Sequence, residues 1–177
     1  PPLAPPPRPN AAGTGYHRFA LDEAGWQRLI AGAAKLDSTG QITLLGNLFA
    51  GLRAGKANAG DVLALIQNLA PVARWDVLRA LAKRLLPLRQ SLAADELPAY
   101  RAFLSRNFAP RLKTVGLSLK AGEKPADAFL RQWLVTILVT EAHDAGVIAQ
   151  LAATLHCRPV PKGVCPVQPE LMAETLR

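Results

Sequence analysis

The chain has 177 residues, half of them hydrophobic and only 6% aromatic, with 21 Lys and Arg against 13 Asp and Glu for a net charge of +8. That length suits one domain with a sizeable core. Abundant Ala and Leu favour helices, and scattered Val and Ile argue against a large sheet.

The elements follow in chain order. Residues 1–9 are Pro-rich and cannot form a helix or a central strand, so they read as an extended linker or an edge segment. Tyr16 to Leu21 alternates weakly and predicts one short strand, which needs partners from elsewhere. Asp22 is the expected N-cap of a first helix carrying Trp26, Leu29 and Ile30. Ser38 with Gln41 reads as a capping box for a second helix, with Ile42, Leu45, Leu48, Phe49 and Leu52 as its buried stripe and Gly55 as its stop. Asn58 with Asp61 opens a third, carrying Val62, Leu65, Ile66 and Leu69 and closed by Pro71.

A fourth helix carries Trp75, Leu78, Leu81, Ala82 and Leu85, and Pro87 is expected to end or kink it. Asp95 is the expected cap of a fifth, with Pro98 in its first turn, Tyr100, Phe103 and Leu104 inward, and a break or bend at Pro110. Pro125 starts a sixth, whose run from Phe129 to Val139 is apolar almost all round and predicts a central position. A seventh carries Val147, Ile148, Leu151 and Leu155, and a short eighth starts near Pro169 with Leu171, Met172 and Leu176. The expected fold is therefore all-α: an irregular α-solenoid of antiparallel helical hairpins, HEAT- or armadillo-like, after one N-terminal strand segment. The longest apolar run, near Trp133, falls far short of the roughly 20 residues that span a bilayer, and no secretory-signal pattern is visible.

Catalytic signatures are missing. There is no His-Glu-x-x-His, no phosphate loop, no dinucleotide fingerprint and no nucleophile elbow. His143, between Glu141 and Asp144, offers an imidazole beside carboxylates, or simply a solvated helix end. His17 reads as a packing residue on the short strand. His156, Cys157 and Cys165 leave three readings open: a disulfide, two thiols, or a metal site with too few ligands. The disulfide between Cys157 and Cys165 is favoured. It would close a small ring worth ~2–3 kcal/mol and point to a periplasmic or secreted location. Arg74, Arg79, Lys83, Arg84 and Arg89 crowd one helix, and Arg101, Arg106, Arg111 and Lys113 the next. Such a basic array can attract a phosphate backbone, but no aromatics interleave with it to stack bases.

One stretch is more specific. Pro9, Asn10, Gly15, Tyr16, Arg18, Asp22 and Trp26 are followed by Leu44, Leu45, Phe49, Leu52, Ala54 and Gly55. This order resembles the point where zinc aminopeptidases of the aminopeptidase N type pass from a β-sandwich into their C-terminal helical domain, the endoplasmic-reticulum-aminopeptidase-like C-terminal domain. Val115-Gly116-Leu117 and the Asp127 to Arg131 segment are similar to later parts of that domain. The sequence departs from the family where Gly46 and Asn47 replace an acidic pair, at Gln41-Ile42, and after Gly116, which lacks a following Trp.

The resemblance implies a linker and last sandwich strand over residues 1–21, and a helical domain over residues 22–177 that is shorter than in relatives. It implies a non-catalytic domain that covers the active-site chamber of a zinc aminopeptidase and helps select peptides. Zinc, catalytic residues and the sandwich would lie upstream in the same polypeptide, with no cofactor in this chain. Two rivals stand beside it: a stand-alone basic helical-repeat module binding nucleic acid or an acidic protein, and an enzyme using His143.

Overall fold

The computed structural model describes Phe19, residues 21–118 and residues 120–155, without the side chains of residues 154 and 155. All the regular structure in this part is helical. The chain divides into two compact units, one up to Leu81 and one from Ala82.

In the first unit, α1 (Glu23–Gly32) begins as expected at Asp22, whose carboxylate accepts the Gly25 N–H at 2.8 Å. A 3-10 turn (Ala33–Lys35) leads to α2 (Ser38–Arg53). Its cap is Asp37, not Ser38: the Asp37 carboxylate takes the Gly40 N–H at 2.8 Å. Gln41 makes no capping box either. Its amide donates backward to the carbonyls of Ala33 and Leu36, at 3.2 and 3.1 Å. The buried stripe of α2 includes Leu44 and Asn47 with Leu45, Leu48 and Phe49, whereas Ile42 and Leu52 are half-buried.

The end of α2 is a Schellman motif. Gly55 adopts φ 67°, Lys56 N–H reaches the Gly51 carbonyl at 2.8 Å, and Gly55 N–H reaches Leu52 at 3.1 Å. Only glycine takes that backbone without cost. α3 (Ala59–Leu69) opens on the expected reciprocal pair, with Asn58 Oδ1 accepting from Asp61 N–H and the Asp61 carboxylate from Asn58 N–H. α3 packs on both α1 and α2. The core they share holds Trp26, Leu29, Ile30, Leu45, Leu48, Leu65, Ile66 and Leu69, all buried. Each such side chain contributes about 1.5–3 kcal/mol over its exposed state.

α4 (Trp75–Gln90) continues through Pro87, and α5 (Leu97–Val115) through Pro110. Of the expected end or kink at Pro87 and break or bend at Pro110, the ending is corrected: both helices run on past the proline. Both rings are exposed, as are Lys83 and Arg106 four residues earlier, so water can meet the carbonyls that lose their N–H partners. Asp95 does not cap α5. The N-cap is Glu96, whose carboxylate reaches back to the Ala93 N–H at 2.8 Å.

In the second unit α5 packs on α6 (Pro125–Thr136) and on the π-helical turn that extends it (Ile137–Glu141), and α7 (Ala145–Leu155) packs on that turn. Tyr100, Leu104, Phe108, Leu112, Leu134, Val135, Ile137, Leu138 and Leu151 are buried there. α6 is not buried all round. Phe129 is 46% exposed, and the residue most deeply enclosed near it is a charged one, Arg131. The expected strand and eighth helix lie outside the described residues, except Phe19 and Leu21, which form no strand. Among the described residues no single helix is long and apolar enough to cross a membrane.

Candidate functional site

The sequence-derived candidates scatter. His143 is exposed, in the left-handed backbone region at φ 51°, in the turn between the π-helical turn and α7. Its neighbours turn elsewhere. The Asp144 carboxylate accepts the Val147 N–H at 3.0 Å and so caps α7, while Glu141 is buried. Among the described residues, no base, nucleophile and orienting group come together around His143. His17, His156, Cys157 and Cys165 lie outside the described residues. Among the described residues no three His, Cys, Asp or Glu side chains converge as a metal would require, so these residues do not fit a zinc ion.

Two buried ionic clusters in the second unit escaped the sequence reading. The first centres on Arg131, whose side chain is fully enclosed. Its guanidinium holds both oxygens of Glu123, with Nη1 to Oε2 at 2.9 Å and Nη2 to Oε1, and its Nε donates to the Gly116 carbonyl at 2.7 Å. Gly116 has φ 81°, so the clamp fixes the corner where α5 stops. Arg131 beside it holds the Glu123 carboxyl below the ordinary carboxylate value.

The second cluster hangs on the π-helical turn. A π turn carries an extra residue, seen in the Ala142 N–H to Ile137 carbonyl bond at 3.0 Å. Glu141 closes the turn and pairs with Arg89 Nε at 3.1 Å. The Tyr100 hydroxyl donates to the Leu85 carbonyl at 3.3 Å and lies against the Glu141 carboxylate. Burial pushes the Glu141 carboxyl up, while Arg89 pulls it down. Burial and the Glu141 charge both push the Tyr100 hydroxyl above its usual range. Both clusters satisfy their own charges and leave no group placed to attack a substrate.

A surface cavity of about 480 Å³ lies between the end of α5 and the start of α7, lined by Leu112, Lys113, Gly116, Leu117, Asp144 and Val147 among others. It is mixed in character: aliphatic walls, one ammonium, and a carboxylate already engaged as a cap. The basic residues are unevenly available. Arg79, Lys83, Arg106 and Lys113 are exposed, but Arg89 is held by Glu141 and Arg111 is half-buried, where burial lowers its pKa.

This arrangement is that of a helical scaffold, and comparison with known proteins agrees. The ERAP1-like C-terminal domain family matches residues 8–175. Aminopeptidase M1-A of Oryza sativa subsp. japonica is 28% identical over 143 residues, covering 78% of this chain. The chain spans 16% of the length of that relative. The chain belongs to the ERAP1-like C-terminal domain family, the C-terminal domain of aminopeptidase N-like enzymes.

Proposed function

We propose that this chain is the non-catalytic C-terminal domain of a zinc aminopeptidase, where it covers the active-site chamber and helps select peptide substrates. The observation that carries the reading is the family match over residues 8–175. Zinc and its ligands belong, on this reading, to an upstream catalytic domain. Residues 1–21 are then the linker and the last strand of an intervening β-sandwich. Residues 22–177 belong to an irregular α-solenoid of helical hairpins, of which α5, α6 and α7 are successive members. The mixed cavity beside Lys113 suits a peptide's alternating apolar and polar groups.

Two measurements test this. The isolated chain, incubated with zinc and an aminoacyl-arylamide, is expected to give no turnover, and hydrolysis above the buffer blank would overturn the non-catalytic assignment. In the intact aminopeptidase, deleting the domain should change the ratio of kcat/KM for a long peptide to that for the arylamide. An unchanged ratio would remove the chamber role. A salt-sensitive mobility shift with short DNA duplexes would favour the basic binding-module reading instead.

A further inference from the structure

Phe19 precedes Asn47 by 28 residues, yet its backbone N–H donates to Asn47 Oδ1 at 3.0 Å. The Nδ2 of the same side chain donates to the Thr43 carbonyl, one turn back on α2, at 2.9 Å. A carboxamide can do both because one arm accepts and the other donates. An aspartate would turn a second acceptor on the Thr43 carbonyl, and an aliphatic residue would leave Phe19 N–H unmet. Asn47 is 7% exposed and Phe19 half-buried, so an unmet Phe19 N–H is only partly open to water.

The ring of Phe19 adds a second tie. It stacks on Trp26 of α1, with centroids 5.8 Å apart and 29° between the planes. Trp26 is enclosed, and among the described residues its indole N–H has no hydrogen-bond partner. Gly51 of α2 also lies close to the indole: a Cβ there would sit 3.7 Å from the ring and 3.2 Å from the Ala57 Cβ. One residue of the lead-in polypeptide is thus gripped by α1 through its ring and by α2 through its backbone.

We propose that Phe19, Asn47 and Trp26 form a clasp that holds Phe19 against α1 and α2, and that it opens without unfolding the helices. Phe19 lies ahead of α1 and supplies no intrahelical bond. Among the described residues, opening gives up the Phe19–Asn47 hydrogen bond and the Phe19–Trp26 ring contact while α1, α2 and α3 keep their ladders, which is the pattern of a local rather than a global opening. The clasp goes beyond the chamber reading and does not depend on it. Asn47 is a positioning residue that acts through Phe19.

The peptide bond between Arg18 and Phe19 offers a direct readout, because it is a trypsin site and its N–H is the group that Asn47 holds. On the full chain, limited digestion followed by mass spectrometry compares that bond with the sites after Arg28 and Arg53, within α1 and α2. Asn47→Ala should speed cleavage after Arg18 roughly fivefold to tenfold, the effect of losing one part-buried hydrogen bond, and leave the helical sites unchanged. Where the alanine variant does not fold, Asn47→Ser repeats the test, being polar but too short to reach Phe19. Equal acceleration at all sites, or none after Arg18, would overturn the clasp.

Discussion

The two units reach helical order by different means. The first relies on neutral apolar packing beneath short, local caps: Asp22, Asp37 and the Asn58–Asp61 pair each satisfy N–H groups within three residues of themselves. The second begins α5 and α6 with no side-chain bond from the N-cap residues Glu96 and Lys124 onto those helices. It adds order through ions instead, with Arg131 binding Glu123 and Arg89 binding Glu141 across 52 residues. Local caps hold a helix wherever it packs. A buried charge pair holds only one arrangement, because parting the ions exposes each to a low-dielectric interior. The second unit should therefore depend more steeply on single polar side chains than the first.

The largest test of that contrast is Arg131→Met. It leaves the Glu123 carboxylate, 7% exposed, and the Gly116 carbonyl without their main partner. Removing one member of such a pair costs about 3–5 kcal/mol. Urea titration followed by hydrogen exchange should show that loss in α5 and α6, with the protection of α1 to α3 retained. The double change Glu123→Gln with Arg131→Met removes the orphaned charge and should recover part of the loss. If Arg131→Met costs no more than an exposed substitution, the second unit is not held by its ions.

A smaller effect probes the first unit. Asn58→Ala and Asp37→Ala each remove one cap and should cost about 1 kcal/mol. Ser38→Ala should cost less than either, since Ser38 lies inside the first turn and Asp37 makes the capping bond. Equal losses for Asp37→Ala and Ser38→Ala would undo the one-residue correction to the start of α2.

The same contrast explains what could be read beforehand. Asp22, the Asn58–Asp61 pair and Gly55 were legible because their partners lie within a few residues, and local chemistry selects them. The cap of α2 slipped by one position because Asp37 and Ser38 are both good caps and adjacent. Pro87 and Pro110 do not end their helices because that cost depends on which way each carbonyl faces, and a one-dimensional pattern does not carry that. The clusters around Arg131 and Glu141 were invisible for a stronger reason. A charged residue on an apolar helix reads as its solvent face, and only the tertiary partner reverses that. The apolar run from Phe129 to Val139 marked a helix expected to be enclosed almost all round, but Phe129 is exposed and Arg131 enclosed. Asn47 was noted only as a departure from an acidic pair, and its bond to Phe19 gives that departure a physical meaning.

The smallest effect divides the second unit within itself. The carboxylates of its two ion pairs, Glu123 and Glu141, are shifted in opposite directions from the same ordinary value of 4.5. Glu123, lowered first by its hydrogen bond from Arg131, contributes stability that is complete above 4.5 and is lost as pH falls through its depressed value. Glu141 is raised first by burial, against the pull of Arg89 and the lesser pull of His143, with Tyr100 as its hydrogen-bonding neighbour. Its folded form binds a proton more readily than its unfolded form, so its contribution is fullest below 4.5 and declines as pH rises through the raised value. Urea midpoints of wild type, Glu123→Gln and Glu141→Gln between pH 3 and 7 separate the two. The advantage of wild type over Glu123→Gln should shrink only on the acid side of 4.5. Relative to Glu141→Gln, wild type should gain as pH is lowered toward 4.5 from above. Parallel curves for the two variants would mean that Arg89 outweighs burial at Glu141, making that pair an ordinary stabilising ion pair like the one at Arg131.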